Sequence, residues 1–382
     1  MDFSFSEEHK LLQRNVRDFA KKEIGPSAAR IDRDEDFPWD NFQKMGEMGL
    51  MGVSMDPRYG GSGGGYIDLS IVVEELARVC AATSLIYIAS VSLASKCIEA
   101  FGSPDQKDAY LAPLARGQKL AAFALSEPNA GSDVASLRTT ATTHNGGYFL
   151  NGSKTFITNG DLADFLVVFA TENRKLASKG ISAFIVEKGY EGFTGRNEPG
   201  KMGMRGSNTA ELFFEDCRVP LENLLGEEGK GMRMALSTID ASRITIAAQA
   251  VGIAHAALDA ALDYARHRQA FGHPIADFQA IQWMLADMAT QVNAARLITY
   301  QAADKKERGE PFGRESAMAK LFASEIAGQV TSKALQIHGG YGYFKESPVE
   351  RYFRDAKVTE IYEGTSEVQR LVISRDLIKS GL

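Results

Sequence analysis

Cysteine is scarce in this chain, and the three present, Cys80, Cys97 and Cys217, stand far apart with no CxxC pair. That spacing supports neither a disulfide framework nor a zinc site, so no metal is expected and a reducing compartment fits best. No stretch supplies the about 18 uninterrupted apolar residues that a bilayer span requires. The N-terminus, Met1-Asp2-Phe3-Ser4-Phe5-Ser6-Glu7-Glu8, lacks the basic start and apolar run of a signal peptide, so the expectation is a cytoplasmic protein. Charge is not concentrated in either sign. Lys and Arg number 43 against 49 Asp and Glu, a formal −6, without the long runs that would call for nucleic acid or an anionic membrane as partner. A strand-GxGxxG-helix unit is also missing, which argues against a nicotinamide dehydrogenase.

What remains is an ordinary globular composition, 44% hydrophobic and 24% charged, in 382 residues, too many for one core. Periodicity divides the chain into three: a helical domain over 1–118, a β domain over 119–227 and a helical bundle over 228–382. Fold class is therefore mostly α with a central antiparallel β-barrel or sheet, closed by a four-helix bundle. In the first part Leu12, Val16 and Phe19 mark a helix face, and Ser4 with Glu7 has the spacing of a capping box. Helices are expected around Trp39–Met48, Ile67–Cys80, Ser84–Phe101 and Pro104–Arg116. The glycine run from Tyr59 to Gly65 reads as a loop, since it follows no strand. In the second part Tyr148–Leu150, Asn151-Gly152 and Lys154–Thr158 read as a hairpin, because Asn-Gly supplies the positive φ of a two-residue turn. Long helices follow over about 232–266, 278–308 and 315–339, with a shorter one after Thr365.

Several stretches could carry chemistry, and each has a plain alternative. Leu125-Ser126-Glu127-Pro128-Asn129-Ala130-Gly131-Ser132-Asp133 offers hydroxyls and turn N–H groups, or is a capped loop. Phe156, Ile157 and Thr158 put an aromatic face beside a hydroxyl, or are ordinary strand residues. Arg266, His267 and Arg268 gather where a helix should end, which the helix dipole alone accounts for. Asp240 and Arg243 are spaced to pair on a solvated helix face, or to bind a phosphate. Gln336-Ile337-His338-Gly339-Gly340-Tyr341-Gly342-Tyr343 is either a ligand approach or a helix stop, with His338 structural. In Ile361-Tyr362-Glu363-Gly364-Thr365-Ser366, the apolar neighbours of Glu363 would make its charge costly to bury. That is how a carboxylate becomes a base matched to a weakly acidic C–H; a solvated loop glutamate is the alternative.

Taken together and in order, these motifs, with Lys154–Gly160 and Lys201–Ser207, resemble the acyl-CoA dehydrogenase family over essentially the whole chain. The resemblance implies FAD between the middle sheet and the bundle. Leu125, Ser126, Phe156, Ile157 and Thr158 would meet the flavin ring, and Ser132 would lie near cofactor phosphate or substrate. Arg268 and Gln279, with Gln336, Gly339 and Gly340, would reach FAD on a neighbouring subunit, while Thr365 and Glu367 would hold the cofactor's far end. A homo-oligomer follows, at least a dimer and usually in this family a tetramer, a dimer of dimers. Glu363 matches the base that removes the α proton of an acyl-CoA while the β hydrogen leaves as hydride, giving the trans-2-enoyl-CoA. Asp240, Arg243 and Gly364 match positions that meet the substrate. Some relatives carry the base on the bundle's first long helix, where this chain has Ser242. Ser126 stands where many relatives have threonine, and Phe156 where many have tryptophan.

The wording resembles short-chain and butyryl-CoA dehydrogenases, which implies electron-transferring flavoprotein as acceptor. Tyr87 would shorten the acyl cavity, whereas Ala89 and Ser90 would leave room. An oxidase using oxygen and a non-redox CoA-binding scaffold are the rival readings.

Overall fold

The computed structural model describes residues 4–144 and 146–381. The N-terminal helices are α1 (Glu7–Phe19), α2 (Ala28–Asp34), α3 (Trp39–Glu47), α4 (Tyr66–Ala77), α5 (Ala81–Tyr87), α6 (Ser95–Phe101) and α7 (Pro104–Ala115). Ser6, not Ser4, caps α1. Its hydroxyl accepts the N–H of His9 at 3.1 Å, which leaves Glu7 and Glu8 in the first turn where the dipole favours them. The helix expected over 84–101 is longer than that, since α5 runs into α6 through a widened π turn over Ile88–Ala94. Ala81–Phe101 is apolar and long enough to cross a membrane by composition, as is Gly231–His267, but 89% and 78% of their most apolar windows are buried inside the protein.

The middle of the chain forms β1 (Ala121–Ala124), β2 (Thr140–His144), β3 (Gly147–Thr158), β4 (Phe165–Thr171), β5 (Ile181–Glu187), β6 (Phe193–Asn197), β7 (Thr209–Pro220) and β8 (Leu224–Leu225). They pair in the order β6-β7-β3-β2-β4-β5-β8, mostly antiparallel, while β1 runs parallel beside β4 with Ala121 opposite Phe165. The expected reversal at Asn151-Gly152 does not occur. β3 is continuous through it, and the pair makes a bulge where the register against β7 slips between Leu150 and Gly152. Gly152 takes φ 145°, and a Cβ there would meet Thr139 at 2.7 Å, so the glycine serves a bulge and a close approach. The actual tight reversal joins β2 to β3, with His144 opposite Gly147; Asn145 lies outside the described residues.

After the sheet come α8 (Gly231–His267), a short hairpin of β9 (Gln269–Ala270) and β10 (His273–Pro274), α9 (Gln279–Glu307), α10 (Gly313–His338), α11 (Pro348–Val358) and α12 (Ser366–Ser380). α8 has 37 residues, about 55 Å at 1.5 Å per residue. It is buried along Ala241–Ala254 because alanines let it lie close to its neighbours. At Gly252 a Cβ would meet the Glu74 carbonyl of α4 at 2.3 Å. This helix therefore touches all three parts of the chain, and the turn between α11 and α12 is laid against its first half. Loop 201–208 clamps onto α11, where the Met204 N–H donates to Asp355 at 2.6 Å and Arg354 donates to the Met202 carbonyl at 3.0 Å, while Arg354 also pairs with Asp32 of α2 at 2.6 Å.

Candidate active site

A cavity of about 150 Å³ lies where sheet, α5 and the α11–α12 turn converge. Its lining includes Leu125, Ser126, Phe156, Ile157 and Thr158 on the sheet side, with Tyr362 and Glu363 on the bundle side; Leu85, Ile88, Ala89 and Leu93 close it. The sheet side is built by two devices. A second bulge in β3, between Lys154 and Ile157, places Phe156 at φ 58° and turns its ring outward, 75% exposed beside buried Ile157. The Ser126 loop is stitched to that strand by the Thr155 N–H donating to the Ser126 carbonyl at 3.0 Å.

Beneath it lies a fully buried ion pair that sequence reasoning missed, Lys154 to Glu127 at 2.8 Å. Lys154 also donates to the Leu125 carbonyl at 3.1 Å, and Glu127 accepts the N–H groups of Arg138 and Thr139. Burial alone would raise the Glu127 pKa, but the Lys154 ammonium and these donors bring it below the usual value.

The bundle side centres on Glu363, part-buried in the turn after α11. Thr365 caps α12, as its hydroxyl accepts the Val368 N–H at 3.4 Å. Glu363 and Gly364 both adopt left-handed backbone, φ 51° and 93°, and at residue 364 a Cβ would meet the Gln369 amide at 2.7 Å. Burial pushes the Glu363 carboxyl up to about 7, against the opposing pull of the Ser242 hydroxyl, Lys320 and Arg243. Ser242, on α8, donates directly to Glu363. Ser242, which cannot itself be a base, is thus a hydrogen-bond donor to the Glu363 carboxyl.

The chain matches three family descriptions: the N-terminal domain of acyl-CoA dehydrogenase over residues 6–118, the middle domain over 122–217 and the C-terminal domain over 229–378. It belongs to the acyl-CoA dehydrogenase family. It is 48% identical over 379 residues to the short-chain specific acyl-CoA dehydrogenase of Clostridium acetobutylicum, covering 99% of this chain and 100% of that one. The solved butyryl-CoA dehydrogenase of Megasphaera elsdenii superposes with TM-score 0.97 at 44% identity, over 99% and 100% of the two chains. A chain from a structure described as the electron transferring flavoprotein of Acidaminococcus fermentans superposes with TM-score 0.98 at 47% identity, each chain covered completely. The protein is therefore an oxidoreductase, a short-chain and butyryl-CoA dehydrogenase-like member of an FAD-dependent family.

The residues fit that cofactor. An aromatic ring held outward at the cavity mouth, beside two hydroxyls, suits a flat ring system, as acyl-CoA dehydrogenases require. The remaining expected FAD positions are not at this cavity. Arg268, Gly339 and Gly340 line a separate one of about 1010 Å³ with Tyr264, His338 and Tyr341. There Arg268 lies over the Tyr341 ring, 5.2 Å from its centre, and a Cβ on either glycine would meet nothing within 4 Å. Gln336 is exposed one residue before that lining, and Gln279 is the exposed first residue of α9. Ser132 is exposed on the loop after β1 and lines neither cavity, and Glu367 is exposed in the first turn of α12.

Asp240 and Arg243 do pair, at 2.7 Å, but not on a solvated face. Arg243 is 4% exposed, one residue from Ser242, and its Nε has no partner among the described residues. His338, expected to be structural, stacks on Tyr264 with its Nδ1 at 2.8 Å from the Ala334 carbonyl, and it also lines the larger cavity. Tyr87 does not shorten the cavity: it is fully buried, and its hydroxyl donates to the Leu50 carbonyl at 2.9 Å. Ser90 likewise faces β1, donating to the Ala121 carbonyl at 3.0 Å. Ile88, Ala89 and Leu93 of the widened π turn, with Leu85 of α5, form the wall instead.

Proposed function

We propose that this chain is an FAD-dependent short-chain acyl-CoA dehydrogenase that converts a straight or branched short acyl-CoA to the trans-2-enoyl-CoA. Glu363 is the base, and electrons leave to an electron-transferring flavoprotein. The observation that carries the reading is the placement of Glu363 in the same small cavity as Ser126, Phe156, Ile157 and Thr158. Leu125, Ser126, Phe156, Ile157 and Thr158 would hold FAD there, with Thr365 and Glu367 assigned to its far end, and the cofactor would supply the acceptor for the hydride leaving the β carbon.

The chain's own residues do the rest. Glu363 takes the α proton, and a carboxyl poised at about 7 suits that transfer near neutral pH. Ser242 orients the carboxylate through its hydroxyl. Leu85, Ile88, Ala89, Leu93 and Ile239 form an apolar wall that excludes water from the acyl chain. Gly364, Asp240, Arg243 and Ser132 are assigned to the rest of the thioester ligand. The second, surface cavity, with Arg268, Gly339 and Gly340 and with Gln336 and Gln279 close in sequence, is assigned to the FAD of a neighbouring subunit. That makes the working form a homo-oligomer, which we take as a dimer of dimers. The three free, buried cysteines suit a reducing cytoplasm.

The test is anaerobic addition of short straight and branched acyl-CoAs to the yellow protein, followed by flavin absorbance and then by peroxide on admitting air. Bleaching with slow peroxide release supports the dehydrogenase; rapid stoichiometric peroxide makes it an oxidase, and no bound flavin removes a redox role.

A further inference from the structure

The turn that carries Glu363 hangs from two side chains that the reaction does not consume. Lys320, on α10, is fully buried, and its ammonium donates to the Gly364 carbonyl at 2.7 Å. Gln369, on α12, donates to the same carbonyl at 2.8 Å and to that of Glu363 at 3.2 Å. Two consecutive left-handed residues, one of them a glutamate, persist only where the surroundings hold them.

A neutral amide can satisfy a carbonyl at far less cost than a buried ammonium, as Gln369 shows. What the lysine adds is charge. The cations that face Glu363 are Lys320 from α10 and Arg243 from α8. Arg243 is committed to Asp240 at 2.7 Å, whereas Lys320 makes no ion pair within 4.0 Å among the described residues. Around Lys320 stand Glu363, Arg243, Glu360 and Glu367; Glu360 is paired with Lys357 at 2.8 Å, and Glu367 is exposed.

We propose that Lys320 is a positioning residue for Glu363, clamping its turn through the Gly364 carbonyl and supplying the uncommitted positive charge that favours the ionised carboxylate. The inference rests on Glu363 being the base. Burial brings the Lys320 ammonium down to about 8, with Glu363 opposing that fall, so it is still charged at neutral pH.

The experiment uses FAD-loaded, full-length protein and two variants that separate the roles. Lys320→Gln can keep the donor to Gly364 but loses the charge; Lys320→Met loses both. Two quantities are followed against pH. One is exchange of the acyl-CoA α hydrogen with deuterated water under anaerobic conditions. The other is the Glu363 carboxyl titration, read as a carbon-13 NMR difference from Glu363→Gln. Both variants are expected to move the midpoint upward by roughly one pH unit, the low end for losing one nearby opposite charge. Lys320→Met should also lose about tenfold in plateau exchange, with a smaller loss in Lys320→Gln and little change in KM.

Midpoints at the wild-type value in both variants overturn the proposal. Should both fail to fold, Lys320→Arg keeps the charge and must keep the midpoint; a moved midpoint there overturns it equally. Wild-type exchange in Glu363→Gln would defeat the assignment of the base itself. Unmoved Lys320 midpoints beside an inactive Glu363→Gln defeat only the clamp.

Discussion

Glu74 and Glu363 are both glutamates sheltered among the long helices, yet their surroundings drive them in opposite directions. Glu74, on α4, accepts from Arg296 Nε at 3.0 Å and from the Tyr300 hydroxyl at 2.7 Å, with His255 at 3.3 Å. Burial alone would raise its pKa, but these partners bring it down to about 2. Glu363 has one hydroxyl donor, from Ser242, and its nearest uncommitted cation reaches the neighbouring carbonyl rather than the carboxylate. Burial therefore prevails, and the carboxyl sits at about 7. A saturated carboxylate joins α4 to α8 and α9; an under-satisfied one remains able to take a proton. The second lines the apolar cavity, where such a group can act.

The largest effect that sharpens this contrast is loss of the base. Glu363→Gln should lower substrate-driven flavin bleaching by about 10³-fold while the bound colour remains, since general bases contribute about 10² to 10⁴. Stopped-flow absorbance measures it, and bleaching at the wild-type rate would move the base elsewhere.

Next comes Glu74→Gln, which leaves the half-buried Arg296 without its carboxylate. It should cost about 3 kcal/mol of stability in denaturant unfolding, the low end for breaking a buried pair because Arg296 keeps some solvent, with the bleaching rate of the folded fraction retained. A variant that stays stable but loses bleaching would erase the distinction between the two glutamates.

The smallest effect concerns the strain of keeping Glu363 ready. Its folded pKa lies above the unfolded 4.5, so its stabilising share is complete below about 4.5 and is lost as pH rises toward 7. Glu363→Gln removes that burden. It should be more stable than wild type by about 1–2 kcal/mol at pH 8, allowing for screening through the open cavity, with the gain fading by pH 4.5. Thermal melts across that range check the sign. The same ionisation should make wild-type bleaching climb about tenfold per pH unit below about 7 and level above it.

Much of the site could be read from local sequence because its chemistry is local. Tyr362-Glu363-Gly364-Thr365 contains the proposed base, the left-handed glycine beside it and the cap of the next helix within four positions. Phe156-Ile157-Thr158 was legible as an aromatic face beside a hydroxyl, although not as a bulge, because register belongs to two strands at once. Asn151-Gly152 misled for the same reason: turn chemistry marks where positive φ is affordable, while pairing with β7 decided that the strand carries on. Lys320, 43 residues before Glu363 in sequence, gave no sign of its contact, and neither did Lys154 of its pairing with Glu127. Tyr87 turns away from the cavity to a partner 37 residues distant in sequence, the Leu50 carbonyl, which no local pattern signals.

Sequence alone determined the order of helical, β and helical parts, the family, and the short motif in which Glu363 stands. Those properties reside in periodicity and short motifs, where neighbours along the chain are neighbours in space. Tertiary structure decided which carboxylate is satisfied and which is not, because proton affinity depends on how many donors and charges other helices bring within a few ångströms, and no local pattern encodes that count.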